Sequence, residues 1–324
     1  MTKTLLKLIK NRENIDLLKL FYPSFLLPLV SISSDRLKAV KEYGYCSGVQ
    51  LIIEDNKLYA LSNSIECLRY SKYLSGSWFN TEDYLSSVSR DFKIIIEKMM
   101  TLYADIGIPT SPLDDLEIFT SIILSRNTDY HRNTVGWVRK LLKIFSSLES
   151  LAYTEPDLLT CEVGSSYQVL ELPKIISCYL RIRNSLNRSS ENSRTLLKCR
   201  GVGPKTLYAY MLFVKLDTRY APIDTNLLHF LNRLRSLRDV IGELVLPTKE
   251  YCLNYVCDEC PKNNTCIEAF LKNALGSLNG WFQTLAFLHN KTYCTAKKCF
   301  ECPLSTECLS HTRNKKSFSN YVGT

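Results

Sequence analysis

The 324-residue chain lacks an apolar run long enough to cross a bilayer. The longest uncharged stretch near its start, Leu20 to Ser34, contains Pro23 and Pro28 and falls short of the ~30 Å of hydrocarbon a spanning helix must cover. A secretory leader is not expected either, because Lys3, Lys7, Lys10 and Arg12 interrupt Leu5, Leu6 and Ile9 before a long apolar region forms. A reducing intracellular setting, cytoplasmic or nucleoid-associated, is therefore expected. Neither disorder nor a small disulfide scaffold fits 45% apolar residues over this length, which supply ample core for two or three domains. Histidine is scarce: His131, His229, His289 and His311 have no spacing that suggests ligation.

Charge is present in excess of one sign, at +9 overall. Residues 1–105 hold 14 basic and 12 acidic side chains, so most of the excess lies in the remainder, where a polyanion is a plausible partner. Residues 1–20 place Leu and Ile among basic residues at helical spacing, predicting an amphipathic helix that ends before Pro23. From Leu26 to Leu68 short alternating runs flank Glu54-Asp55-Asn56-Lys57, predicting a small antiparallel sheet with a tight hairpin. Helical periodicity dominates after Asn80-Thr81-Glu82. Ile106 to Pro112 reads as a linker, and Leu116 to Leu142 as helix broken around Ser125 to Thr134.

Cysteine is abundant, with thirteen residues. Cys252, Cys257, Cys260 and Cys266 are spaced C-x4-C-x2-C-x5-C, and Cys294, Cys299, Cys302 and Cys308 repeat the same gaps 42 residues later. Chance does not readily produce three identical gaps twice, and a reducing compartment disfavours disulfides, so thiolate ligation of a soft metal is expected. Structural zinc usually pairs two short knuckles across a longer gap; these compact, asymmetric gaps fit a 4Fe-4S cubane better, although C-x4-C-x2-C also opens the plant-type 2Fe-2S pattern. Cys46, Cys67, Cys161, Cys178 and Cys199 are isolated and read as buried thiols packing as small hydrophobes.

Leu196 to Thr206, LLKCRGVGPKT, reads as helix, glycine hairpin, helix, with Pro204 at the first helical position. Gly201 and Gly203 allow a sharp turn and close approach of a ligand, and the free N–H groups of the second helix suit a phosphate. Nineteen residues after Lys205 comes Asp224, in PIDTN, where an N-cap belongs. A helix from Pro204 to about Lys215 is about 18 Å long and the eight residues to Ile223 reach about 26 Å, so Asp224 can return beside Lys205. A lysine's free amine forms a Schiff base with a sugar carbon, and a carboxylate stabilises an oxocarbenium-like sugar as its base departs.

These segments, in this order, resemble the helix-hairpin-helix base-excision DNA glycosylases, specifically the iron-sulfur endonuclease III branch. Ile118 to Asp129 is similar to the family's opening segment, and Leu288-His-Asn-Lys-Thr-Tyr-Cys294 to its approach to the cluster; about 190 residues are covered, from Leu116 to Cys308. The resemblance implies a mainly α fold with a helix-hairpin-helix core over 111–236 and a cysteine-rich iron-sulfur region over 237–324, and the alternating runs before it are read as a small α+β domain with an antiparallel sheet over 1–110. It implies that Lys205 is the nucleophile and Asp224 the carboxylate of a bifunctional glycosylase and AP lyase excising damaged, oxidised bases from duplex DNA. Gly201, Val202, Gly203 and Thr206 would grip phosphate, Asn127 or Arg126 would fill the space left by the flipped nucleotide, and His131 would lie near DNA. Cys294, Cys299, Cys302 and Cys308 would hold a 4Fe-4S cluster, and Lys297 and Lys298 would touch phosphate; for Cys252, Cys257, Cys260 and Cys266 the repeated spacing itself leads to the expectation of a second cluster, with a duplicated cluster loop as the alternative.

Three departures stand out: four residues rather than six separate the first two cluster cysteines, the earlier quartet has no counterpart in the usual pattern, and residues 1–105 exceed the short N-terminal helix of endonuclease III. The small sheet faintly resembles the 8-oxoguanine and alkyl-base branches. A monomer acting on double-stranded DNA is the leading expectation. Its rivals are a noncatalytic iron-sulfur DNA-binding protein and an electron-transfer protein.

Overall fold

The computed structural model describes residues 5–11, 15–186 and 191–309, with the side chain of Glu191 excepted; His311 lies outside them. Five strands, β1 (Leu5–Asn11), β2 (Val30–Ile32), β3 (Lys38–Lys41), β4 (Gln50–Glu54) and β5 (Lys57–Ser62), form one antiparallel sheet in the order β1-β5-β4-β3-β2. The β4–β5 hairpin turns at Asp55 and Asn56, both at positive φ (47° and 59°), as a two-residue turn matched to strand twist requires. The expected helix over residues 1–20 is corrected here. Leu5–Asn11 is a strand pairing with β5, and only Leu17–Phe21, α1, is helical. Leu5, Leu6, Leu8 and Ile9 satisfy either period, and the open edge of β5 offers hydrogen-bond partners that an isolated short helix lacks.

Helices follow: α2 (Ile65–Leu74), α3 (Arg90–Leu102), α4 (Asp115–Leu124), α5 (Val135–Ile144), α6 (Pro156–Glu162), α7 (Tyr167–Leu186), α8 (Pro204–Phe213), α9 (Thr225–Leu231), α10 (Arg238–Ile241), α11 (Lys249–Asn254), α12 (Ile267–Leu275) and α13 (Asn279–His289). No described helix is long and apolar enough to cross a membrane. One hydrophobic core runs from the sheet through α13.

The segment read as a linker is packed inside this core. Ile106, Ile108, Thr110 and Ser111 are buried; Trp281 donates to the Ile106 carbonyl at 3.0 Å and Trp78 to that of Ile108 at 2.8 Å. Just beyond it, Asp114 meets Lys41 of β3 at 2.6 Å, both fully enclosed. Burial pushes the Lys41 amine down and Asp114 opposes that shift. Removing either partner would strand the other charge, which makes this pair a strong tie between sheet and helices.

Four of the five cysteines read as isolated thiols are instead paired. Cys46 bonds Cys67, and Cys178 on α7 bonds Cys199 at the start of the hairpin; Cys161 is an exposed free thiol. Sequence alone offers no pairing signal at a separation of 21 residues, because only the fold brings these Cα atoms within 6 Å.

Candidate active site and nucleic-acid interface

The hairpin is built as the glycines dictate. A 3-10 helix, Glu191–Lys198, leads to Gly201 at φ +80°, a left-handed conformation; a Cβ there would lie 2.6 Å from Arg126 Nη1 and 3.0 Å from Ile175 Cδ1. Gly203 differs. Its φ of −118° is ordinary, it stands at the N-cap of α8, and a Cβ built there meets nothing within 4 Å. The open space lies where the free N–H groups of α8 emerge. Val202 and Thr206 are buried, anchoring the loop from below, while Lys205 is exposed one residue into the helix.

Arg126 braces this loop from the end of α4. Its Nη1 donates to the Gly201 carbonyl at 2.5 Å, its Nη2 pairs with Glu171 at 3.1 Å, and its Nε donates to Ile123 O. The guanidinium is thus committed to the protein. Asn127, at φ +48°, is exposed and its Nδ2 donates to the Tyr167 hydroxyl at 3.1 Å.

Asp224 caps α9, with Oδ1 accepting from Leu227 N at 2.7 Å and Oδ2 from Asn226 Nδ2 at 3.4 Å. Asn226 Oδ1 accepts from the buried Asn290 at 2.9 Å, and Arg233 Nη1 donates to Asn290 Oδ1 at 3.0 Å. Arg233 also hydrogen-bonds the Cys294 thiol, so a file of polar side chains connects the carboxylate with the second cysteine quartet.

Lys205 and Asp224 line one cavity of about 350 Å³, together with Phe25, Asn127, Gln283 and Phe287. The chain returns after α8 as the reach argument required. Asp129 and His131 stand on its rim, within a π-helical turn over Tyr130–Thr134. A hydrogen bond from Arg132 N holds the Asp129 carboxyl below its usual range. Burial keeps the His131 imidazole below its ordinary value; it stacks on Tyr22 at 3.7 Å, and its Nε2 lies 2.9 Å from Tyr22 O. Gln283 and Phe287 went unnoticed in the sequence, since α13 reads only as a buried helix; four-residue spacing puts both on one face, a pattern common to core helices and cavity walls alike.

Each cysteine quartet gathers around its own cavity. Cys252, Cys257, Cys260 and Cys266 line one of about 250 Å³, and Cys294, Cys299, Cys302 and Cys308 one of about 180 Å³. Among the described residues, no group of three or more His, Cys, Asp or Glu is placed to hold a single metal ion. Lys297 lines the second cavity, at φ +57°, and Lys298, also exposed, pairs with Glu301 at 3.6 Å. His289 Nε2 reaches Cys302 Sγ at 3.3 Å and its Nδ1 the Tyr103 hydroxyl at 2.7 Å.

Comparison with known proteins agrees with this architecture. No protein-family model matches the chain, and no curated protein matches it in sequence. Solved structures do match in fold. The apo form of the 8-oxoguanine glycosylase/lyase of Clostridium acetobutylicum gives a TM-score of 0.63 at 17% identity, covering 88% of this chain and 95% of that one. The same enzyme with double-stranded DNA containing cytosine opposite 8-oxoG gives 0.58 at 17% identity, covering 89% and 97%. MBOgg1 in complex with a low-affinity DNA ligand gives 0.63 at 14% identity, covering 89% and 95%. The chain therefore has the fold of the 8-oxoguanine DNA glycosylase structures, a mainly helical body with a small antiparallel sheet.

Proposed function

We propose that the protein is a bifunctional DNA glycosylase and AP lyase that removes oxidised bases from duplex DNA, acting as a monomer inside the cell. The observation that carries this reading is Lys205 and Asp224 on the wall of one cavity, at the mouth of a glycine hairpin whose helix N-terminus is open. The fold neighbours described as 8-oxoguanine glycosylase/lyase make 8-oxoguanine the first lesion to test.

In this reading the hairpin amides at Gly201 and Gly203 hold a phosphate, and the extruded nucleotide enters the cavity between Phe25, Phe287 and Gln283. The Lys205 amine adds to the sugar C1′ while the bond from C1′ to the base breaks; the base leaves with that electron pair and is protonated. The Asp224 carboxylate stabilises positive charge on the sugar as the bond lengthens. Loss of the amine proton opens the sugar to an imine, a C2′ proton is removed, and the C3′–oxygen bond breaks in β-elimination. Asn127, on the rim, would occupy the gap left in the duplex. The thiols of Cys294, Cys299, Cys302 and Cys308 are a donor set suited to a 4Fe-4S cluster, which would fasten the C-terminal loop carrying Lys297 and Lys298 near DNA.

Borohydride trapping on a duplex bearing one 8-oxoguanine tests the reading. Covalent protein–DNA product is expected from the wild type and none from Lys205→Gln; trapping retained by Lys205→Gln overturns the nucleophile. Lesion-independent affinity with steep salt dependence and no base release would instead identify a noncatalytic DNA-binding protein.

A further inference from the structure

We infer that the quartet Cys252, Cys257, Cys260 and Cys266 is a second iron-sulfur site that binds its own 4Fe-4S cluster against the back of α8. Three observations support it. The first is that the two quartets share a backbone path as well as a spacing. Asn263 N donates to Cys260 O at 2.9 Å and Ser305 N to Cys302 O at 3.0 Å; Thr265 N donates to Lys262 O at 3.1 Å and Glu307 N to Leu304 O at 3.0 Å; Cys266 N donates to Asn263 O at 3.3 Å and Cys308 N to Ser305 O at 3.2 Å. A 3-10 turn, Asn263–Thr265 or Ser305–Glu307, stands before each last cysteine. Each last cysteine then bridges a passing segment, Cys266 at Val245 and Cys308 at Leu234. Every one of these hydrogen bonds recurs at a 42-residue offset, so the loop is a structural repeat.

The second observation is room. Zinc held by four thiolates at about 2.3 Å leaves no void between its ligands. Here the four cysteines share with other side chains the lining of a cavity of about 250 Å³, more space than a lone ion would fill. The third is charge. A thiolate-ligated cluster is anionic, and Arg194, Arg219 and Lys272 line this cavity against one carboxylate, Asp258, which pairs with Lys272 at 3.3 Å, as Arg233 and Lys297 line the other. A hydrogen-bond donor faces one sulfur in each site: the Tyr208 hydroxyl lies 3.1 Å from Cys252 Sγ, as His289 does from Cys302. Such donors tune and orient cluster ligands.

The site's position defines its role. Leu207, Tyr208 and Met211 of α8 form one wall, and Tyr208 is one turn beyond Lys205. Lys249, on the helix that carries Cys252, donates from Nζ to the Cys199 carbonyl at 3.2 Å. The second cluster therefore holds the hairpin and α8 from behind, whereas the first reaches Asp224 through Arg233 and Asn290.

Iron and sulfide analysis of the full chain, purified anaerobically, tests the inference. The wild type is expected to carry about eight irons and eight sulfides, and Cys257→Ser/Cys260→Ser half of each, with faster amide exchange across residues 199–211. Native mass spectrometry of the wild type, showing the mass of two cubes, reads the same quantity should the variant fail to fold. About four irons in the wild type, stoichiometric zinc at Cys252, Cys257, Cys260 and Cys266, or iron unchanged in the double variant overturns it. The inference does not rest on the catalytic reading. A chain with eight irons that leaves lesion DNA intact sinks only the enzyme, and a trapped chain with four irons sinks only this site.

Discussion

Replacing Gly203 by alanine should separate folding from the nucleic-acid binding proposed for the hairpin. The φ of −118° suits any residue, and a Cβ at that position meets nothing within 4 Å. Two small terms oppose each other. Alanine restricts the unfolded chain, which stabilises by about 0.4–1 kcal/mol, and it is a poorer N-cap than glycine by roughly 0.5–1 kcal/mol. Stability should stay within about 0.5 kcal/mol of wild type, seen as an unmoved urea midpoint. A phosphate seated on the amides of α8 would instead collide with the new methyl. Affinity for a duplex carrying a stable abasic analogue should fall about tenfold, equivalent to about 1.4 kcal/mol, by fluorescence anisotropy at fixed salt. Gly201→Ala is the contrasting control. Its left-handed φ costs about 1–2 kcal/mol in any L-residue, and the contacts with Arg126 and Ile175 add to that, so this variant loses stability first. Wild-type affinity in Gly203→Ala would refute the placement of phosphate at this helix end.

Other substitutions divide roles that single residues combine. Asp224→Asn keeps the cap on α9, because asparagine caps as well as aspartate; base release should slow about 10²-fold or more with the midpoint unchanged, whereas Asp224→Ala also loses about 1 kcal/mol. Single-turnover release with wild-type rate in Asp224→Asn would remove the carboxylate from the chemistry. Cys178→Ser should lower unfolding free energy by about 3 kcal/mol, the loop-closure value for a bond spanning 21 residues, and dithiothreitol, which opens Cys46–Cys67 in both proteins, should abolish the difference between wild type and variant. Burial holds His131 below its ordinary pKa, with Asp129 raising it and Lys291 lowering it. The unfolded chain therefore takes up this proton first as pH drops below about 6.5, and stability is lost from there downward. In His131→Gln that share of the decline between pH 7.5 and 5 should vanish from denaturation midpoints.

Much of this site was legible because its chemistry is local in sequence. The glycine hairpin, the proline at the start of α8 and the aspartate before α9 each announce a backbone conformation within a few residues, and the reach of the chain allows the lysine and carboxylate to share one cavity, as they do. The tight turn at Asp55-Asn56 is legible for the same reason. What stayed hidden depends on distant partners. Leu5–Asn11 is a strand only because β5 has a free edge, and Ile106–Pro112 is core only because Trp78 and Trp281 close over it. Arg126, placed beside Asn127 as a candidate for the emptied duplex position, turns inward because Gly201 O and Glu171 face it from 75 and 45 residues away. Cys178 and Cys199 are joined by the packing of α7 on the hairpin, which no spacing encodes.

That covalent tie has a mechanical consequence. The glycine turn is fastened on three sides: Cys199 is bonded to α7, Gly201 O is clamped by Arg126, and Cys199 O is held by Lys249. A loop so moored behaves as an anvil and not as a hinge. Under the proposed function, bending and unstacking would then have to come from the nucleic acid, and the energy that sorts flexible, weakened steps from stiff intact ones would be spent in the duplex itself.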